Sequence, residues 1–350
     1  MALRCSDLAL LIDHGFDDVI DVRSPAEWQE DRIPGAINLP VLDNEERARV
    51  GTIYKQVNPF SARKIGAALV ARNAARHIEG TLADRPGGWR PLVYCWRGGQ
   101  RSNSFAMILG QIGWRVEVLE GGYKTWRGLV VRELYETPIR PRVVVIDGNT
   151  GSAKTELLAH LAAQGVQTLD LEGMANHRGS LFGARAGGQP QQRGFESALA
   201  VALSRLDPAR PVVVEAESSK VGDLRLPPGL WKAMQAAPRI EVSAPVAARA
   251  AYLVRAYRDL VEDGVRLARV IDLLRPLHPA RMIESWLAMA ASGDHETLAA
   301  ELMERHYDPR YARHRDRSGA PRVVVETASL DDLPALAVRV AERVARLAEG

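Results

Sequence analysis

A chain of 350 residues, with 46% hydrophobic and 25% charged side chains, has the make-up of an ordinary globular protein and the length for two domains. Its net charge of +3 is too small to establish a nucleic-acid partner, and its two cysteines, Cys5 and Cys95, exclude a disulfide framework and suit a reducing compartment. No apolar run reaches membrane-spanning length, and Leu8 to Ile12 is broken by Asp13 and His14 without a cleavage pattern, so a cytoplasmic protein with no membrane partner is expected.

Asp18 to Val22 reads as a short buried strand. Ser24-Pro25-Ala26-Glu27-Trp28 follows as a helix start, with serine as cap and proline at the first helical position. Ile33 to Pro40 turns into another short strand, and Pro91 to Tyr94 is a strand that ends directly at Cys95. Ser102 to Ile112 reads as a helix and Val116 to Leu119 as a strand closed by Gly121-Gly122. Such alternation predicts a parallel α/β sheet. Thr137 to Pro141, with two prolines in five residues, is the expected linker between domains spanning 1–136 and 137–350. Arg142 to Asp147 then begins a second α/β unit, with further strands at Pro211 to Glu215 and Arg322 to Glu326. Val246 to Ala290 carries helical periodicity, and Leu330 to Ala348 reads as a closing amphipathic helix.

Two loops carry the chemistry. In the first, Cys95 ends a strand and Arg97, Gly98, Gly99, Gln100, Arg101 and Ser102 wind towards a helix start. A thiolate needs local positive potential, and backbone N–H groups, a helix dipole and two arginines supply it here. The bland alternative is a buried cysteine at a strand end with two surface arginines. In the second, Gly148-Asn149-Thr150-Gly151-Ser152-Ala153-Lys154-Thr155 nearly matches a phosphate-binding P-loop, where backbone N–H groups close round phosphates and the lysine reaches the terminal ones. Ala153 stands where glycine is usual, which narrows the backbone angles without removing a donor. Val214 to Lys220 could bring Glu215 or Glu217 to the phosphates, where an acid would help to hold Mg²⁺, and a solvated acid pair is the alternative.

Asp170 to Ser180, with His177 and Arg178, and Gln189 to Glu196 read as pocket loops or as a long surface loop. Arg255, Arg258, Arg266, Arg269 and Arg275 recur in the helical stretch, and Arg305, His306, Arg310, Arg313, His314, Arg315 and Arg317 follow with Tyr307 and Tyr311 between them. That mixture suits RNA but also suits solvated helix faces. No His/Cys cluster has metal-ligand spacing, so no structural metal is expected.

Asp21 to Trp28, Ile33 to Asn38 and Leu119 to Trp126 around the cysteine loop resemble the rhodanese-like fold, which places the family's chalcogen-carrying cysteine on Cys95. The Cys-x5-Arg spacing also resembles cysteine phosphatases, but the flanking segments match the chalcogen carriers. With the P-loop half, the chain resembles the tRNA 2-selenouridine synthase family along nearly its whole length, on Tyr94 to Ser102, Gly148 to Thr155, Asp170 to Gly183 and Val214 to Lys220. The resemblance implies an N-terminal rhodanese-like parallel-sheet domain followed by a P-loop NTPase-like α/β domain with a helical, arginine-rich insertion. It implies exchange of sulfur for selenium at wobble 2-thiouridine in tRNA, through S-geranylation from geranyl diphosphate and selenium from selenophosphate. A selenophosphate-supplying enzyme is then an expected partner, and Met174, Leu181 and Phe182 are apolar candidates for the geranyl chain. The rival readings are a sulfurtransferase fused to an ATPase or kinase acting on a small molecule, and a non-catalytic RNA-binding regulator.

Overall fold

The computed structural model describes residues 2–318 and 321–349, the side chains of 314–318 and 348–349 excepted. His314, Arg315 and Arg317 therefore carry side chains outside the described residues. Two compact units emerge. The first holds Met1–Pro138 together with Pro190–Arg205, and the second holds Ile139–Gln189 with Leu206–Gly350.

In the first unit, β1 (Ala2–Leu3), β2 (Asp18–Asp21), β3 (Ile37–Asn38), β4 (Pro91–Tyr94) and β5 (Glu117–Leu119) form a parallel sheet in the order β1-β5-β4-β2-β3. All four residues of β4 are buried, as a central parallel strand covered on both faces requires. The sequence alternation had left Val41 to Arg90 unassigned. That stretch holds two helices, Asn44–Gln56 and Pro59–Glu79, the first started by a capping box of Asp43 and Glu46. Val22, Val93, Phe105, Leu109 and Trp89 lie in one core cluster with Leu69, Val70 and Ala74 of the second helix.

The helix Gln192–Ser204 also belongs to this unit. Ser197 on it accepts a hydrogen bond from the Trp126 indole at 3.1 Å and donates to Asp31 at 2.9 Å. Glu196 beside it pairs with Arg127 and accepts from the Tyr135 hydroxyl at 2.8 Å.

The second unit is built on β6 (Val143–Asp147), β7 (Gln167–Leu169), β8 (Val212–Glu215), a small antiparallel hairpin of β9 (Lys220–Val221) and β10 (Leu224–Arg225), β11 (Arg239–Ser243) and β12 (Arg322–Glu326). Its main sheet is parallel, in the order β12-β11-β6-β8-β7. The strand β11, unassigned in the sequence, pairs on both sides and closes the gap between β6 and β12. Between β11 and β12 lies the helical insertion, with its own core of Leu260, Leu267, Ile271, Leu274, Ile283, Trp286, Leu298 and Leu302.

Both sheets reverse direction of growth beside one strand. In the first, β3 is added on one side of β2 and β4 and β5 on the other; in the second, β8 and β7 lie on one side of β6 and β11 and β12 on the other. A crevice opens at the carboxyl ends of the strands at such a switch point. Cys95 follows β4 and Gly148 follows β6, so each chemical loop stands at its own sheet's switch point. Among the described residues no helix is long and apolar enough to cross a membrane.

Candidate active sites

Cys95 is buried, and its loop wraps it with donors. The Gly99 N–H donates to Cys95 Sγ at 3.3 Å, and the Ser102 hydroxyl lies 3.2 Å from the sulfur. Burial alone would push the thiol up. The Ser102 hydroxyl, the Ser102 and Arg97 N–H groups and the Arg101 charge outweigh it, so Cys95 ionises below the usual thiol range.

The closing Gly121-Gly122 segment braces this loop from behind. Tyr123 N–H donates to the Cys95 carbonyl at 2.8 Å and Lys124 N–H to the Trp96 carbonyl at 3.1 Å. Gly122, at φ 57°, comes so close that a Cβ would stand 2.2 Å from the Cys95 carbonyl oxygen, so only glycine fits. Under the loop, Arg23 is fully buried, bound by both oxygens of Asp21 and by the Asp31 carbonyl, with its guanidinium 4.0 Å from the Tyr123 ring. Neither Arg23 nor Glu27 was singled out from the sequence as a site residue. Glu27 accepts from Arg101 and Arg47, each at 2.9 Å, and with Cys95, Trp96, Arg97, Gly99 and Gln100 these side chains line one open cleft.

In the second unit, the strand β6 runs into the phosphate loop, and the helix Lys154–Ala163 begins at its lysine. Lys154 Nζ donates to the Gly148 carbonyl at 2.9 Å. Gly151, at φ 83°, lies against the next helical layer, where a Cβ would come within 2.9 Å of the Arg249 carbonyl. Arg249, buried, supports the loop by donating to the Thr150 carbonyl at 3.0 Å while paired with Asp308 at 2.7 Å. Ala153 takes φ 57° and ψ 27°, a left-handed backbone that strains any residue with a Cβ by about 1 kcal/mol. Ala153→Gly is expected to raise the melting temperature by about 2 °C in a thermal unfolding scan, since the relieved strain exceeds the added chain entropy only modestly.

The acids near the loop divide their tasks. Thr155 hydroxyl donates to Glu172 at 2.6 Å, and the Glu172 N–H donates to Glu215 at 2.8 Å. Glu215 is fully buried and is pushed up to about 8 by that burial and the carboxylates of Asp170 and Glu172. Glu217, which faces the phosphate loop's cavity, is pushed well up by burial and by Glu172 and Glu215. Glu215, pushed up to about 8, adds little negative charge there at neutral pH. Among the described residues no group of three or more His, Cys, Asp or Glu is placed to hold a metal ion, and Thr155 is bound to Glu172.

Two cavities meet at the loop. One is polar, lined by Thr150 to Glu156 with Glu172, Arg178, Glu217 and Tyr311. The other is an apolar chamber with a cavity volume of about 80 Å³, walled by Phe182, Leu260, Leu267, Leu298, Leu302 and Met303. Thr150, Ser180, Leu253 and Tyr257 line both.

The sequence profile described as "tRNA 2-selenouridine synthase AAA domain" matches residues 141–270, and that of the "Rhodanese-like domain" matches residues 5–129. A tRNA 2-selenouridine synthase of Hahella chejuensis (strain KCTC 2396) is 33% identical over 330 residues, covering 84% of each chain. The chain belongs to the tRNA 2-selenouridine synthase family. Two further relatives of that name are each 34% identical. The one from Chromohalobacter salexigens covers 86% of this chain and 88% of its own, and the one from Pseudomonas fluorescens covers 91% and 94%.

In this synthase-family chain the residues singled out from the sequence fall into four groups. Cys95 with Arg97 to Ser102 share the first loop, while Thr150 to Thr155, Arg178 and Glu217 line one cavity. Gly148 and Asn149 form the base of the phosphate loop, the Asn149 Oδ1 being buried without a partner among the described residues. Asp170 instead caps the helix Leu171–Ala175, His177 Nδ1 accepts from the Gly179 N–H at 3.2 Å, Glu215 sits behind Glu172, and Lys220 is exposed on β9. Of the apolar candidates Phe182 lines the chamber, whereas Met174 and Leu181 are absent from its wall. Glu172 lies inside the Asp170 to Ser180 run without having been singled out, whereas Arg249 and Tyr257 carry no motif and only the fold brings them to the loop.

Proposed function

We propose that this protein converts wobble 2-thiouridine in tRNA to 2-selenouridine through an S-geranylated intermediate. One observation carries the geranyl step: an apolar chamber opens directly off the phosphate loop and shares four lining residues with its polar cavity. A nucleotide's polar base and ribose have little use for such walls, whereas an allylic diphosphate needs one compartment for charge and one for hydrocarbon.

The thiocarbonyl sulfur forms a bond to C1 of the geranyl group as the C1–O bond to diphosphate breaks, and the N3 proton of the base goes to solvent. Lys154 and the loop N–H groups stabilise the charge that grows on the departing diphosphate. Selenophosphate supplies selenium already at the level of selenide, so the second step is a substitution without electron exchange. The C2–Se bond forms, the C2–S bond breaks, geranylthiol leaves, and water takes the phosphoryl group as phosphate. The Cys95 thiolate first takes the phosphoryl group, an S–P bond forming as the P–Se bond breaks and frees selenide for C2, and water then returns it as phosphate and restores the thiol; an enzyme making selenophosphate stands upstream. The Thr155 hydroxyl and the Glu172 carboxylate, 2.6 Å apart in the polar cavity, would hold a Mg²⁺ that offsets diphosphate charge, and no step is routed through one.

Ala299 lines the chamber but not the polar cavity. Ala299→Phe should raise KM for geranyl diphosphate at least about tenfold, because several buried methylenes would lose their place at roughly 0.8 kcal/mol each. Inhibition by inorganic diphosphate should stay as it was. Equal KM values, followed by mass analysis of tRNA nucleosides, would remove the chamber from the reading.

A further inference from the structure

The cleft in front of Cys95 contains a side chain that neither the loop motif nor the fold's strand ends announce. Arg47 comes from the helix Asn44–Gln56, about half exposed, and its Nε lies 2.9 Å from Glu27 Oε2. The same oxygen binds Arg101 Nη1 at 2.9 Å, so one buried carboxylate ties two guanidinium groups from separate elements to one point of the cleft. Glu27 is itself held by the Ser24 N–H and hydroxyl, each at 3.2 Å. Burial raises its carboxyl, but Arg101 and Arg47 more than offset this and hold it below the usual carboxylate range, so it remains charged at neutral pH. Arg97 adds a third cation, exposed and without a side-chain partner among the described residues.

Three cations against one carboxylate leave an excess of two positive charges at the mouth of a buried thiol. Such an excess needs a counter-charge, and guanidinium groups suit phosphoryl oxygens because their planar donors match that geometry. We infer that Arg47, Arg101 and Arg97 form a subsite for a phosphoryl dianion in front of Cys95, with Glu27 as the anchor that keeps Arg47 and Arg101 in place. The inference rests on the reading that Cys95 meets the selenium donor, and it assigns to Arg47 the recognition of that donor's phosphoryl end. Glu27 is the positioning residue in this scheme, acting through the two guanidinium groups it holds.

The test uses the full chain and needs neither tRNA nor selenium. Alkylation of Cys95 by iodoacetamide is followed by mass spectrometry of its peptide, which separates it from Cys5, at constant ionic strength with increasing inorganic phosphate. Phosphate should protect Cys95, and Arg47→Met should need about tenfold more phosphate for the same protection, each variant read against its own rate without phosphate. Arg47→Lys, which keeps the charge, should recover most of the difference. Dimethyl phosphate, a monoanion like an RNA backbone phosphodiester, should protect poorly. Identical phosphate dependence in wild type and Arg47→Met would overturn the subsite, and equal protection by dimethyl phosphate would turn it into an RNA backbone contact. Should Cys95→Ala still make selenouridine, the reading of Cys95 would fall while the protection result would stand on its own.

Discussion

Cys95→Ala, given tRNA, geranyl diphosphate and selenophosphate, is expected to accumulate S-geranylated nucleoside while selenouridine falls at least about a thousandfold. The two steps separate in this way because their machinery lies in different units of the chain, Cys95 in the first and the phosphate loop in the second. Alanine leaves the buried volume of the loop nearly unchanged and removes the only sulfur that the Gly99 N–H and the Ser102 hydroxyl surround. The pH dependence should follow the same division. Cys95 ionises below the ordinary thiol range, so its thiolate is present above that lowered pKa and is lost as the pH falls through it. Selenium transfer should decline there and geranylation should not share the midpoint. Wild-type levels of selenouridine from Cys95→Ala would end that role of Cys95.

Lys154→Ala should lower geranylation roughly a hundred- to a thousandfold and leave phosphate protection of Cys95 unaltered. The lysine starts the helix that follows the loop and faces its cavity, with its ammonium 2.9 Å from the Gly148 carbonyl. A transition state that sheds diphosphate places new charge at that point, and alanine offers nothing in its place. Since Lys154 is bound to a loop carbonyl and not to a core group, the variant should fold. Nucleoside analysis showing unimpaired geranylation would exclude the diphosphate role for this loop.

Much of the fold was legible because parallel strands buried on both faces read as apolar runs. Val143 to Ile146, Val212 to Val214 and Leu92 to Tyr94 announce themselves in this way. The strand β11, Arg239 to Ser243, does not, since its charged Arg239 and Glu241 are accommodated by Asp147 and Arg322. Short edge strands such as β1, two residues long, have too little pattern to be seen. For the sites, the two loops were legible because glycine, cysteine and lysine spacing is local. The chamber was not. Its walls come from Phe182, Leu260, Leu267 and Leu298, which are far apart in sequence and indistinguishable there from ordinary core. The long run Gln189 to Glu196 reads as a loop from its polarity, yet Gln192 already starts a helix whose apolar face carries Phe195 and Leu199.

That helix has a topological consequence. The chain passes from the first unit to the second after Pro138, returns at Pro190, and leaves again after Arg205. No single cut can release either unit whole: severing the proline-rich linker would separate the Cys95-bearing unit from one of its helices, which would stay joined to the other segment. Inheritance of the two units as separate genes would therefore require more than one breakpoint. The crossing arrangement favours their persistence as one polypeptide.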